Sequence, residues 1–570
     1  METRKLGARR VHLSFFLLAL TLSVQALAQE PSGARLIQAR SEPQNWLTYF
    51  GTYNAWRYSP LSAINRQNVG DLVPVWAFHT GRDEAGLNAT PLVMDGVMYL
   101  VGPFNRVFAI DAATGKRIWS YFYDLPEVTI PNTPGTRGIA LGYGKVYLGT
   151  LDNHLVALDA RTGKELWDIE IEDVRQCGCN ITSAPLVVKD KVIVGVTGGE
   201  NAHRGYLNAF DARTGRHIWR FYTIPGPGEP GFETWDKDSW RLGGAPTWLT
   251  GSYDAELNRI YWGVGNPSSD FYGEHRKGDN LYTNSIIALD ADTGKLQWYF
   301  QEIAHDLYDF DSAYECVLLD VVRGGTTQKL LIHPNKGGYT WVLDRVTGKF
   351  VNAWPFADAI NWMKGVDEAG KPKDLLSVPP AGTTFICPNA AGARSWNHST
   401  YSPRTGWWYN TGAEWCGTIT PQKEVITEGA RIFGGTMGFL PPKDGPAFGH
   451  IDAFDPLTGE KRWTVKTKFV NLASLLSTGG DLIFTGDIEG NAFALDARTG
   501  EKKWSFNTGG GLSGSPITYQ VKGRQYVAIP SGNGGLIRRF IPLVWPEARQ
   551  MMPEPASTLM VFALPKRKGR

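Results

Sequence analysis

The sequence predicts an all-β fold, an eight-bladed β-propeller whose blades dock on one another through tryptophan. Three observations predict it. The 570 residues include 65 Gly and 21 Trp, with aromatics at 12 %, which suits many short strands joined by tight turns. A motif repeats: Ala109-Ile-Asp-Ala-Ala-Thr-Gly-Lys-Arg-Ile-Trp119 recurs as Ala157-Leu-Asp-Ala-Arg-Thr-Gly-Lys-Glu-Leu-Trp167, and again ending at Trp219, Trp298, Trp463 and Trp504. Where copies are consecutive, their Trp residues lie 48, 52, 79 and 41 positions apart, room for four short strands per unit.

The elements follow in chain order. Arg4, Lys5, Arg9 and Arg10 precede an apolar run from Val11 to Leu22, and Ala26-Leu27-Ala28 reads as a cleavage site. Residues 1–28 are therefore expected to be a secretory signal peptide, and residues 29–570 the propeller, soluble and periplasmic in a disulfide-permitting compartment. Removing that segment leaves 54 basic against 55 acidic residues, a balance that argues against a nucleic-acid surface. No later stretch is apolar enough to span a bilayer.

In each unit an alternating apolar strand runs into Asp-x-x-Thr-Gly. There the Asp and Thr side chains bond backbone groups and Gly takes the left-handed position, and the next strand carries the Trp. Trp76, in Leu72-Val-Pro-Val-Trp-Ala-Phe, closes a first unit. Val342 to Phe350 is a degenerate copy lacking the Trp, and Tyr401-Ser-Pro-Arg-Thr-Gly-Trp407 reads as another. Ser557 to Pro565 reads as a lone strand after a long loop, pairing with an N-terminal unit to close the ring and remove its open edge. The basic tail from Lys566 to Arg570 is a solvated end. Two inserts exceed the repeat period, Pro225 to Trp248 and Asn352 to Arg394, and long insertions in a rigid ring are where sites are built.

Five cysteines remain, with no Cys-x-x-Cys-His, so the chain carries no covalently attached c-type haem. Cys387 and Cys416 flank a hairpin-like segment and form the expected disulfide. Cys177-Gly-Cys179 is either a short-ring disulfide or two thiols; zinc is disfavoured because no His or second Cys pair stands at ligand spacing.

The stretch His305-Asp-Leu-Tyr-Asp-Phe-Asp-Ser312 sets three carboxylates among bulky aromatics, a pattern of pocket walls that bind a cation or take a proton. Glu200 in Thr197-Gly-Gly-Glu and Asn266 in Gly263-Val-Gly-Asn-Pro fall at comparable points of other units. Together with Asp309 and Asp311 they compose an all-oxygen set suited to a hard cation. By residue type alone, ordinary turn chemistry remains open beside it.

These residues carry a resemblance that runs nearly end to end, from Asn45-Trp-Leu-Thr-Tyr and Arg57-Tyr-Ser-Pro-Leu through the Trp repeats, Gly-Gly-Glu, Gly-Asn-Pro and His305-Asp306 to the final Val-Phe-Ala-Leu-Pro. The chain resembles the quinoprotein alcohol dehydrogenases of the methanol and ethanol dehydrogenase type, which use pyrroloquinoline quinone (PQQ). The resemblance implies an eight-bladed propeller with quinone and metal at its axis. It makes Glu200, Asn266 and Asp309 metal ligands, with Asp309 also the catalytic base that takes the alcohol proton as hydride moves to the quinone. Arg137, Thr182, Gly198, Gly199, Trp248 and Lys336 match cofactor contacts, Trp248 as the floor under the quinone ring, and Cys387–Cys416 matches a structural disulfide. Asp311 matches the extra carboxylate of lanthanide-dependent members, so a lanthanide(III) ion is favoured, with Ca²⁺ the alternative. A small alcohol is the implied substrate and a soluble cytochrome c the electron acceptor. Polyols, sugars or polymeric alcohols stay open as substrates, a homodimer stays open, and the competing class is a non-enzymatic envelope propeller.

The departures from the family pattern fall around the cofactor. Its adjacent-cysteine disulfide is missing, with Glu127-Val-Thr-Ile-Pro in that region. Asn88 stands where a Glu is common, Ser395 where many members have Asn, and no Trp lies around Asn471-Leu-Ala-Ser.

Overall fold

Strand after strand pairs with its sequence neighbour in a computed structural model that describes residues 33–126, 134–323 and 325–566. The expected signal peptide, Glu127 to Pro131 and the last four residues of the basic tail lie outside the described residues. The fold is all-β and of the propeller type. Successive antiparallel sheets span residues 92–122, 140–170, 186–222, 252–301, 317–355, 400–467 and 476–507. An eighth joins Ile517–Val521 and Arg524–Ser531 to Thr558–Ala563 and, from the other end of the chain, Val73–His79. The pairing of Thr558–Ala563 with Val73–His79 is antiparallel, Ala563 opposite Val73 and Thr558 opposite His79, so the last strand closes on an N-terminal one as its pattern predicts. Tyr58–Ser59 adds a parallel edge to the 476–507 sheet. Apolar inner strands face one another between sheets: Val101, Val107, Ile139, Val146 and Leu148, all buried, belong to one continuous core.

The repeat works as its residues require. In the second copy Asp159 Oδ1 accepts from the amides of Arg161 (3.1 Å) and Thr162 (2.7 Å) and from Thr162 Oγ1 (2.7 Å). Gly163 then turns at φ +73°. A Cβ there would lie 2.5 Å from the Trp119 ring of the preceding sheet, whose indole N–H donates to Ala160 O at 3.0 Å. The same approach recurs for Trp76 on Gly115, Trp167 on Gly215, Trp219 on Gly294, Trp298 on Gly348 and Trp463 on Gly500.

Two copies differ from expectation. The 317–355 sheet does present a Trp: Trp354, two residues further along its strand and so on the same face, lies against Gly459. Tyr401 to Gly406 is not a docking turn; it joins Thr400–Ser402 to Trp407–Glu414, and a Cβ on Gly406 would meet nothing. The turn of that sheet that meets a Trp is Asp455-Pro-Leu-Thr-Gly459, against Trp354.

In an antiparallel four-stranded meander, the links between second and third strands and those between sheets emerge on one rim. The Asp-x-x-Thr-Gly turns emerge on the other. Both inserts lie on the former rim, as do the residues after Ser531, where the expected long loop folds into Leu536–Arg539, Ile541–Val544 and Ala548–Met551. Trp545 and Ile541 bury against Trp415 and Phe439, anchoring this segment over a small sheet of Thr384–Ile386, Cys416–Pro421 and Gly435–Leu440. Cys387 and Cys416 are bonded beside it, and Cys177 and Cys179 are bonded to each other; Cys316 is a buried free thiol.

Buried His450 pins the larger insert. It contacts Asp452 Oδ2 at 2.5 Å and Glu414 Oε1 at 3.1 Å, and Glu414 accepts the amides of Asp358 and Ala359. Burial opposes the charge on His450, but the two carboxylates raise its pKa from 6.5 to about 9. Its stabilisation is therefore complete below pH 6.5 and lost as pH rises toward 9. His450→Gln should be less stable than the wild type at pH 6 by about 3 kcal/mol, with the gap narrowing above pH 9, read from urea unfolding at both pH values.

Candidate active site

Each sequence-predicted site residue except the disulfide pair sits on the one rim. Arg137, Thr182 and Trp248 lie on links between sheets, as do Asp309 and Asp311. Gly198 to Glu200, Asn266 and Lys336 lie on links between second and third strands. Asp306 shapes the central turn: its buried carboxylate accepts from the amides of Tyr308 and Phe310, both at 2.9 Å, which holds Asp309 at φ +62°. Asp tolerates that left-handed conformation better than bulky residues do.

Lys336 Nζ lies 2.9 Å from Asp309 Oδ2 and 3.1 Å from Asp311 Oδ2. Asp311 Oδ1 accepts from Trp248 Nε1 (3.2 Å) and from the Asn266 amide (3.3 Å), so Asp311 ties together three predicted site residues. A carboxylate the sequence reading passed over joins them: Asp270, with Glu200 and Asp309, brings one oxygen each within 4.8 Å of the others. Asn266 Nδ2 donates to Asp270 Oδ1 at 2.9 Å, while Asp270 Oδ2 and Asp309 Oδ1 are buried and accept nothing. Buried oxygens without a partner, on two of three clustered carboxylates, fit a bound cation.

Electrostatics agree. Burial pushes the Asp309 and Asp270 carboxyls well above the ordinary range, and their acidic neighbours add to it, against the pull of Lys336. Burial raises Glu200 as well. Burial opposes the Lys336 charge, but Asp309 and Asp311 hold its pKa well above the usual value. Each acid thus gains from an added positive charge.

Beside the acids opens a cavity walled by Asn88, Arg137, Thr182, Trp248, Tyr314 and Trp396, with Gly198 to Glu200, Asp311, Lys336 and Ser395 also in its lining. Arg137 donates to Thr182 Oγ1 at 2.5 Å, and its guanidinium lies 4.7 Å from the Trp248 ring centroid and 5.0 Å from that of Trp396. Burial lowers its pKa to about 10, which leaves it cationic at neutral pH. Two indoles and a guanidinium around one slot suit a flat, anionic aromatic ligand. Gly199 leaves room for the Asn266 side chain: a Cβ there would lie 2.0 Å from Asn266 Oδ1. Gly535, Leu536 and Ile537 complete the lining from the C-terminal segment.

Behind the turn, buried Asn335 donates to the carbonyls of Phe310 (3.3 Å) and Asp311 (3.4 Å) and to Glu302 Oε2 (2.9 Å). Glu302 in turn holds Ser312 Oγ (2.5 Å) and His333 Nδ1 (2.8 Å). This network fixes the Asp309–Asp311 turn against Lys336.

The chain matches the family described as PQQ: glucose/ethanol/alcohol dehydrogenase, beta-propeller domain, over residues 46–357 and 447–527. It is 37 % identical to the quinoprotein alcohol dehydrogenase PedH of Pseudomonas putida over 97 % of both chains. The chain belongs to the quinoprotein alcohol dehydrogenase family. Membership makes it an oxidoreductase of the PQQ-dependent alcohol dehydrogenase class. Among solved structures it is similar to a europium-containing methanol dehydrogenase, with a TM-score of 0.86 and 33 % identity over 93 % of this chain and 100 % of that one. It is also similar to the quinohaemoprotein alcohol dehydrogenase of Comamonas testosteroni, with a TM-score of 0.83 and 32 % identity over 94 % and 85 %. Two of this quinoprotein's departures, Asn88 and Ser395, line the cavity itself.

The sequence reading missed Asp270, Tyr314 and the Gly535–Ile537 wall. Asp270 had a local signal, four residues beyond Asn266 in Gly-Asn-Pro-Ser-Ser-Asp. Leu536 and Ile537 had none, because their segment reaches the cavity only through the packing of Trp545.

Proposed function

We propose that this chain oxidises alcohols to aldehydes in the rim cavity, using pyrroloquinoline quinone and a cation. The carrying observation is the cluster of Glu200, Asp270 and Asp309, two of which carry a buried, unpartnered oxygen, together with the slot lined by Trp248, Trp396 and Arg137. When bound, the quinone supplies a two-electron acceptor polarised by the adjacent cation.

The chain's own residues do the rest. Glu200, Asn266, Asp309 and Asp311 hold the cation, and its charge keeps Asp309 ionised. Asp309 accepts the hydroxyl proton of the alcohol as the C–H bond breaks. Arg137 and Thr182 orient the cofactor, Gly198 and Gly199 admit it closely, Trp248 forms its floor, and Lys336 faces its oxygens. Asp311 adds a negative charge that suits a trivalent ion, so a lanthanide is favoured over Ca²⁺.

The eight sheets of four or more strands are read as eight blades of one ring, a reading supported by the Trp–Gly approaches from sheet to sheet and by Trp504 Nε1 donating to Leu72 O at the closure. The N-terminal pattern supports export to the periplasm, where a soluble cytochrome c would accept electrons one at a time.

The test loads apo-protein with the quinone and La³⁺ or Ca²⁺. It then follows the quinone absorption band and dye reduction across short alcohols, polyols and sugars. A bound quinone and turnover of short alcohols, faster with La³⁺, is expected. No quinone band and no turnover with either ion overturns the reading. Activity with Ca²⁺ alone, unaltered in Asp311→Ala, overturns the lanthanide preference.

A further inference from the structure

The geometry points to Asp270 as an additional cation ligand, one that makes this site selective for a trivalent over a divalent ion. The inference rests on the cation-assisted reading above and extends its donor set.

Asp311, which belongs to the predicted set, and Asp270, which does not, are engaged differently. Both oxygens of Asp311 are engaged, one by Trp248 and the Asn266 amide, the other by Lys336. Asp270 has only one oxygen engaged, by Asn266 Nδ2 at 2.9 Å. Its Oδ2 is buried and accepts nothing, and Asp270 rather than Asp311 forms the three-carboxylate cluster with Glu200 and Asp309. Asp270 is 1 % exposed, so that oxygen is shut off from bulk solvent.

The position is also rigid. Arg276 donates to Ser269 O at 2.8 Å on one side, and the Phe271 amide donates to Phe433 O at 3.0 Å on the other, with the Phe271 ring buried. A ligand fixed on both sides is in place before the ion arrives, which lowers the ordering cost of binding.

Charge decides the class of ion. Glu200, Asp270, Asp309 and Asp311 bring four negative charges, and Lys336 returns one positive charge by direct contact. The remainder matches a trivalent cation and leaves a divalent one with surplus negative charge at a buried site. Hard oxygen donors in this number suit large ions that accept more than six ligands. Buried Arg276, which donates to the Asp306 carbonyl at 2.6 Å, interacts first with the Asp306 carboxylate and less with Asp270, so Asp306 takes most of its charge.

The test uses the quinone-loaded full chain, stripped of cation and titrated with Tb³⁺. Luminescence gives the affinity, and its lifetimes in H₂O and D₂O give the number of waters on the ion. Asp270→Asn keeps an acceptor for Asn266 Nδ2 and removes the charge. It should bind Tb³⁺ at least about tenfold more weakly and admit about one more water. Its preference for Tb³⁺ over Ca²⁺, by competition, should shrink with it. Should Asp270→Asn lose the wild-type melting transition, Asp270→Ser carries the same readouts.

Wild-type affinity in the variant, or weaker binding with an unchanged water count, overturns Asp270 as a ligand while leaving the site's cation role standing. A wild-type protein that binds neither Tb³⁺ nor Ca²⁺ overturns both.

Discussion

Asp309→Asn lowers kcat by about 10²–10⁴ while leaving the bound quinone's absorption band in place. The substitution keeps the side-chain shape on the Asp306-braced turn and keeps an acceptor for Lys336, whose Nζ lies 2.9 Å from Asp309 Oδ2. What it removes is the negative charge of the carboxylate and with it the capacity to take up the alcohol proton. Steady-state dye reduction with a short alcohol measures the loss, and the spectrum of the same sample separates it from failure to bind cofactor. A variant that turns over like the wild type would place the base elsewhere.

Lys336→Met destabilises the apo-protein by about 3–5 kcal/mol at neutral pH, because it leaves Asp309 and Asp311 as buried acids without their ammonium. Lys336 is 9 % exposed, so solvent offers little substitute for the lost pair. A trivalent cation can supply the missing charge. La³⁺ should therefore raise the melting temperature more in Lys336→Met than in the wild type, although turnover is expected to stay low if Lys336 contacts the quinone as proposed. Calorimetry of both proteins with and without La³⁺ reads the difference; equal shifts would mean that the ammonium and the ion do not share these carboxylates.

Much of the ring was legible because its repeat is made of local physics. Asp159, Thr162 and Gly163 make their turn from bonds within a few residues, so the same letters give the same turn wherever they recur. The same locality misled at Tyr401 to Gly406, where turn chemistry is present but joins a different pair of strands. Trp354 escaped notice for the opposite reason. Its role is set by which face of a strand meets the next sheet, and a shift of two residues preserves that face while breaking the motif.

Among the site residues, Glu200, Asn266, Asp309 and Asp311 announced themselves by residue type beside glycine and aromatics. The sequence by itself determined the strand-and-turn unit and the acids placed at the ends of those units, since both depend on neighbours in the chain. Only the tertiary structure decided how the acids divide their work. Asp311 turns toward Lys336, Trp248 and Asn266, whereas Asp270 joins Glu200 and Asp309 with a free oxygen. The physical reason is that charge balance and orphaned lone pairs are properties of groups brought within a few ångströms across different sheets, and spacing along one chain does not encode those distances.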